Sequence, residues 1–225
     1  MVVEMKVLSL IEKRVGFRLQ GSFLLALFIF LFSFPLVGSA ATGVVQSISL
    51  GETGSYREDG ILSSANGEVL DLYLDKPGTT WIRPFAFPRK ALFSNRYSVS
   101  LEILSLKGAW GGVGLGKAGT GVQVLVSQDG GFSLRSWRGK EYREVKRALA
   151  GSPLSFPGKL EMVYDTEKAE VLINWNGQAL LHGQKVGEIG FPDFVTFDRA
   201  EVVVFSPYGM ILSCVSLRNL TFELR

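Results

Sequence analysis

From Val44 onward apolar side chains recur at every second position, and no other feature restricts the fold of this chain as much. Tyr97, Val99, Leu101 and Ile103 alternate with Ser98, Ser100 and Glu102, and Val122, Val124 and Val126 oppose Gln123 and Ser127. A period of two belongs to a strand with one buried face, because successive side chains leave opposite sides of the backbone. Similar runs recur at residues 69–74, 80–87, 112–115, 132–137, 160–164, 169–175, 178–182, 201–205 and 211–224, separated by Gly, Pro, Asn and Asp. Those four residue types favour turns. After the first 40 residues the one candidate for a short helix is Glu141 to Ala150, and its Arg143, Glu144 and Lys146 leave little apolar face. Many short antiparallel strands must bury one face each. The expectation is an all-β chain folded as a two-sheet antiparallel β-sandwich, or jelly roll.

The beginning of the chain is different in kind. Ser22 to Gly38 carries no charge, Lys6, Lys13, Arg14 and Arg18 precede it, and Pro35 and the small residues Gly38-Ser39-Ala40-Ala41 close it. A basic region, an apolar region and a small-residue site are the layout of an export signal. Residues 1–40 are therefore expected to be a signal peptide with an apolar helix, cleaved after Ala40 or Ala41, and residues 41–225 a single β-sandwich domain. The alternative is an uncleaved anchor, since the run approaches the roughly 17-residue lower limit for a spanning helix. Either reading exports the rest of the chain, to the outside, the periplasm or the outer face of a membrane. A membrane is then a partner only through an uncleaved N-terminal segment.

Composition narrows the function. One Cys and one His among 225 residues exclude a disulfide framework, a Cys-rich zinc ribbon and a His-cluster metal site. Four of the 24 basic and two of the 21 acidic residues lie in the first 40, leaving 20 against 19. A near-neutral domain has no electrostatic footprint for nucleic acid. Gly111 to Ala118 fits G-x-x-x-x-G-K, and Gly114 to Gly119 fits G-x-G-x-x-G. Both phosphate motifs require a helix next, whereas the strand-like Val122 to Val126 follows, so no nucleotide site is expected. Glycines in a sheet more often mark bulges or tight bends. His182 and Cys214 are read as structural.

Two tight turns set register and so place side chains on faces. Asn176-Gly177 suits a type I′ hairpin, whose central residues both need positive φ. It puts Trp175 opposite Gln178, Ile173 opposite Leu180 and Val171 opposite His182. Gly139-Lys140 suits a type II′ turn, which pairs Arg138 with Glu141 and Trp137 with Tyr142. Since Phe132 and Leu134 take the apolar side, Trp137 falls on the other side with Ser133 and Arg135. A Trp and a Tyr are thus expected side by side on the solvent face. Trp175 and Trp81 are assigned to the core, and Pro84 places its strand at a sheet edge.

The succession YSVSLEILSL, WGGVGLG, VQVLVSQDGGFSLRSW, KLEMVYDTEKAEVLINWNGQALL and SLRNLTFEL resembles the concanavalin A-like lectin/glucanase jelly rolls, the group with laminin G-like and pentraxin-like domains. The likeness covers about Gln46 to Leu224 and is one of pattern and order. It implies a sandwich whose concave face or loop rim binds carbohydrate, in some members with calcium, and in some branches hydrolyses it. The E-x-D-x-x-E strand of the jelly-roll glucanases has no match here. Glu161 and Asp165, with Glu167 and Glu170, read as solvated edges of a hairpin. Calcium, if bound, would draw on the loop carboxylates Asp129, Asp165, Asp193 and Asp198, which are scattered along the chain.

Aromatic side chains are the strongest remaining clue, because rings stack on the flat apolar faces of sugars at low entropy cost. The candidate ligand-binding residues are Trp137 and Tyr142, with Arg135 and Glu144 beside them, and then Trp110 next to Gly111 and Gly112. A loop such as residues 150–157 could cover them. The leading reading is a noncatalytic carbohydrate-binding or adhesion module, the partner being a carbohydrate. The alternatives are a structural or interaction domain whose partner is a cell-envelope protein, and a jelly-roll glycoside hydrolase.

Overall fold

The computed structural model describes residues 43–53, 57–58, 61–88, 94–117, 119–139, 141–185, 196–209 and 212–225. The expected signal peptide with its cleavage site, and Asp193, lie outside the described residues. Among the described residues fifteen strands follow one another with a single 3-10 turn, Leu50–Thr53. They are β1 Val44–Ile48, β2 Arg57–Glu58, β3 Ile61–Asn66, β4 Val69–Leu74, β5 Thr80–Ala86, β6 Arg96–Lys107, β7 Trp110–Lys117 and β8 Thr120–Ser127. The others are β9 Gly131–Arg138, β10 Glu141–Leu149, β11 Gly158–Asp165, β12 Glu170–Trp175, β13 Gln178–Lys185, β14 Arg199–Phe205 and β15 Ser213–Leu224.

The strands form two antiparallel sheets. A nine-stranded sheet runs β13-β12-β11-β6-β15-β4-β3-β2, with β1 also on β15, and a six-stranded sheet runs β10-β9-β8-β7-β14-β5. Strand β15 holds β4 through Ser213 to Leu217 and β1 through Leu220 to Leu224. Pro84 does lie on an edge strand, β5, where its missing N–H costs no ladder bond. Residues 141–149, the helix candidate, form edge strand β10, whose backbone is paired along β9 instead.

Alternation predicts the core. Tyr97, Val99, Leu101 and Ile103 from one sheet and Val122, Val124 and Val126 from the other are fully buried, each large aliphatic side chain stabilising the fold by about 1.5–3 kcal/mol. Tyr97 and Tyr164 meet Phe197 edge-on, with ring centroids 5.1 and 5.0 Å apart, and the Phe197 N–H donates to the Tyr97 hydroxyl at 3.4 Å. Trp81 and Trp175 join this core. The loop after β10 turns Leu154 and Phe156 onto the same core, Phe156 standing edge-on to Trp175 at 5.2 Å.

The turns behave as their residues dictate, with one correction. Asn176 and Gly177 have φ of 49° and 79°, and Trp175 pairs with Gln178. Further along, however, Ile173 pairs with Leu181 rather than Leu180, and Val171 with Gln184 rather than His182. Irregularities on either side of Ile173 shift the register, and Gly183 sits there with φ of 57°. The shift puts Leu181 into the core and leaves His182 exposed. At the other turn Gly139 has φ of 60°, and Arg138↔Glu141 and Trp137↔Tyr142 pair as expected.

Candidate functional site

The outer face of the six-stranded sheet brings all five predicted site residues together, in rows set by register. One row runs Tyr142, Trp137, Gly121, Gly116, Arg199 across β10, β9, β8, β7 and β14. The next runs Glu144, Arg135, Gln123, Gly114, Glu201. Beyond them Arg147 pairs with Ser133, and Ser127, Trp110 and Phe205 make a further row.

Trp137 is on the predicted face but not in the predicted state. It is 9% exposed while Tyr142 is 47% exposed. Gly121 opposite it has no side chain, so the indole lies down on the backbone, and its buried Nε1 has no acceptor among the described residues. The open aromatic surface at this end is therefore Tyr142. Trp110, half-buried, reaches over Ser127 toward Gly131, whose added Cβ would lie 2.8 Å from its ring.

A polar floor that the sequence did not reveal lies between these ends. Gln123 and Glu201 are 1% and 3% exposed although they point away from the core. They lie over glycines: a Cβ on Gly114 would be 2.8 Å from Gln123, and one on Gly116 2.7 Å from Glu201 Oε1. Gly114 and Gly116 are thus not bulges or bends but positions in a regularly paired strand, emptied so that Gln123 and Glu201 can lean across. Glu201 accepts from Gln123 Nε2 at 3.0 Å and from Arg199 Nε at 3.2 Å. A buried carboxylate is tolerable because both oxygens are satisfied and a cation is paired with it. Burial, then the charge of Glu201, push the Tyr142 phenol above its ordinary value.

Arg135 Nε donates to Ser133 Oγ at 3.0 Å, and Ser133 Oγ donates to Glu144 Oε1 at 2.6 Å. The Arg135 guanidinium lies 5.3 Å from the Phe205 ring centroid, and that of Arg147 lies 5.2 Å from the Trp110 ring. Stacking of this kind holds guanidinium planes in place. Burial pulls the Arg135 guanidinium below its usual range, with Glu144 opposing the change.

Other sequence candidates have structural duties. Glu161 accepts from Ser98 Oγ and Asn174 Nδ2 on the other sheet. Asp165 accepts from the N–H groups of Glu167 and Lys168, and Asp129 from Ser127 Oγ and the Gly131 N–H, each closing a hairpin turn. No three or more His, Cys, Asp or Glu gather to hold a metal among the described residues. The G-x-x-x-x-G-K stretch begins within central strand β7 and is followed by β8, not a helix.

The structure is similar to that of a solved protein of unknown function with a galectin-like fold from Bacillus subtilis. The two share a TM-score of 0.52 at 11% identity, covering 82% of this chain and 90% of that one. The chain has the concanavalin A-like jelly-roll fold. A sialidase matches with a TM-score of 0.51 at 15% identity over 79% of this chain, and the jelly roll described here spans only 18% of the sialidase's length. No protein-family model matches the sequence, and no curated protein does. The candidate site on this jelly roll is the outer face of its six-stranded sheet, where a buried, hydrogen-bonded floor is edged by Tyr142, Arg135, Glu144, Arg147 and Trp110.

Proposed function

We propose that this chain is an exported, noncatalytic carbohydrate-binding module and that its site is the outer face of the six-stranded sheet. The observation that carries the reading is the Glu201–Gln123–Arg199 floor. A sheet face that merely met water would show separate, exposed polar side chains. Here Glu201 and Gln123 are buried, bonded to each other and, through Glu201, to the half-buried Arg199, and flanked by aromatic rings, which is the mix of apolar platform and fixed polar groups that sugar recognition uses. The jelly-roll fold is consistent with it.

The spacing of the carboxylates on this face supports the noncatalytic reading. Glu144 and Glu201 share a row but stand four strand spacings apart, roughly 19 Å between backbones at about 4.8 Å per strand. Glycosidases place their two carboxylates about 5–9.5 Å apart.

A second reading has its own observation. Leu62 and Tyr73 are cross-strand neighbours on the nine-stranded sheet, 48% and 39% exposed. Together with the covered Trp137 they favour docking to a protein of the cell envelope.

The test is retardation of the purified full-length protein on gels containing soluble polysaccharides, with Trp110→Ala and Trp137→Ala alongside and calcium present or chelated. Retardation lost in Trp110→Ala with the fold intact supports the first reading. Loss on chelation adds calcium to it. No retardation on any polymer overturns it in favour of the envelope partner.

A further inference from the structure

The outer face of the six-stranded sheet carries two cations that make no ion pair among the described residues, the charges of Glu144 and Asp129 reaching Arg135 and Arg147 only from farther off. Arg135 and Arg147 come from adjacent strands, and Arg147 pairs with Ser133, two residues before Arg135. Side chains so related on one face of a sheet are diagonal neighbours, about 7–8 Å apart at the backbone. Among the described residues no carboxylate lies within ion-pair distance of either guanidinium, whereas Arg199, Arg218 and Arg225 each have one.

The arrangement around Ser133 explains why Glu144 does not fill that role. Ser133 Oγ receives the Arg135 Nε–H and gives its own proton to Glu144. The carboxylate is held one hydroxyl away from the cation, and among the described residues the outer Nη donors of Arg135 have no hydrogen-bond partner. The two guanidinium planes are meanwhile fixed against Phe205 and Trp110. Arg135 is partly buried and Arg147 exposed; partial burial of a cation is costly unless an anion answers it, and planar donors match an oxyanion in a bidentate way.

Resting on the carbohydrate-binding reading, we infer that the ligand of this face is an acidic glycan, one of whose oxyanions is gripped between Arg135 and Arg147 while its ring lies toward Trp110. The shared chemistry is a planar or tetrahedral oxyanion on a sugar. Its source is either a uronate carboxylate or a sulfate ester.

Matched polymers separate the possibilities: polygalacturonate against fully methyl-esterified pectin, and dextran sulfate against dextran. The full-length protein is expected to bind at least one acidic polymer about tenfold more tightly than its neutral partner. Preference for polygalacturonate identifies the carboxylate, and preference for dextran sulfate the sulfate. Arg135→Gln and Arg147→Gln should each remove most of that preference, and Arg135→Lys should restore little of it, since a point charge does not replace a fork. Lys159→Gln, the same charge change on the other sheet, should leave it intact. Thermal melts establish that each variant folds. Equal binding to acidic and neutral partners, or a preference lost equally in Lys159→Gln, overturns the inference and leaves the carbohydrate reading standing. Binding to none of the four polymers nor to the wider panel overturns both.

Discussion

Gly121 lies so closely beneath the Trp137 indole that a Cβ on it would sit 2.4 Å from Nε1 and 2.6 Å from the Leu115 carbonyl oxygen. The ring can move but the backbone oxygen cannot. Gly121→Ala should therefore destabilise the fold by about 1–3 kcal/mol, as overpacking does, and expose the indole. A lowered urea midpoint with red-shifted tryptophan emission is the expected pair of changes. An unchanged midpoint would mean that the close approach is relaxed in solution.

Glu201 offers a second test, because the buried Gln123 and the half-buried Arg199 both depend on it. Glu201→Ala strands the Gln123 amide and removes the carboxylate nearest Arg199. Arg199 is partly open to solvent, so the loss should fall near the lower end of such effects, about 2 kcal/mol. Glu201→Gln, which keeps the shape, should lose less. Equilibrium denaturation measures both, and equal midpoints for Ala and wild type would deny the floor any structural weight.

Gly177 tests the hairpin. Its φ is 79° and a Cβ there would meet nothing within 4 Å, so any cost of Gly177→Ala is conformational rather than steric. About 1 kcal/mol of destabilisation is expected. Since the β12–β13 turn belongs to the other sheet, glycan retardation should be unaffected.

Asp129 sets an acid dependence. The Ser127 hydroxyl, more than the Gly131 N–H, holds its carboxyl below the ordinary value of 3.8. A carboxyl depressed on folding supplies stability that is present above its unfolded pKa and lost as pH falls through the folded one. The melting temperature of Asp129→Ala should thus trail the parent at pH 7, and the gap should close as pH falls below about 4. The gap itself should be small, because the group is exposed. A gap that persists unchanged at low pH would assign the effect to packing.

Much of the fold was legible because strand alternation is a local property. The inward sets Tyr97 to Ile103 and Val122 to Val126 lie where period two puts them, and the Gly139 turn placed Trp137 opposite Tyr142. The site was only half legible. Glu201 and Arg199 belong to β14, which sits beside β7 only through long-range pairing, and no local pattern records that adjacency. Gly114 and Gly116 have no side chain from which alternation can be read, so the surface they clear for Gln123 and Glu201 left no signal beyond their own spacing.

Arg147 shows the division most sharply. Continuing the alternation of Tyr142 and Glu144 would place Lys146 on the outer face, but the register shifts between Glu144 and Lys146, and Arg147 takes that face instead. One extra residue in a strand reverses every side chain beyond it. The sequence by itself determined that the chain makes a two-sheet sandwich, and it determined the faces of its regular strands, since both depend on the period of neighbouring residues. Only the tertiary structure decided that Trp137 lies down on Gly121, that Arg147 rather than Lys146 stands beside Arg135, and that a carboxylate is buried outside the core. Those outcomes depend on which strands become neighbours and where their register slips.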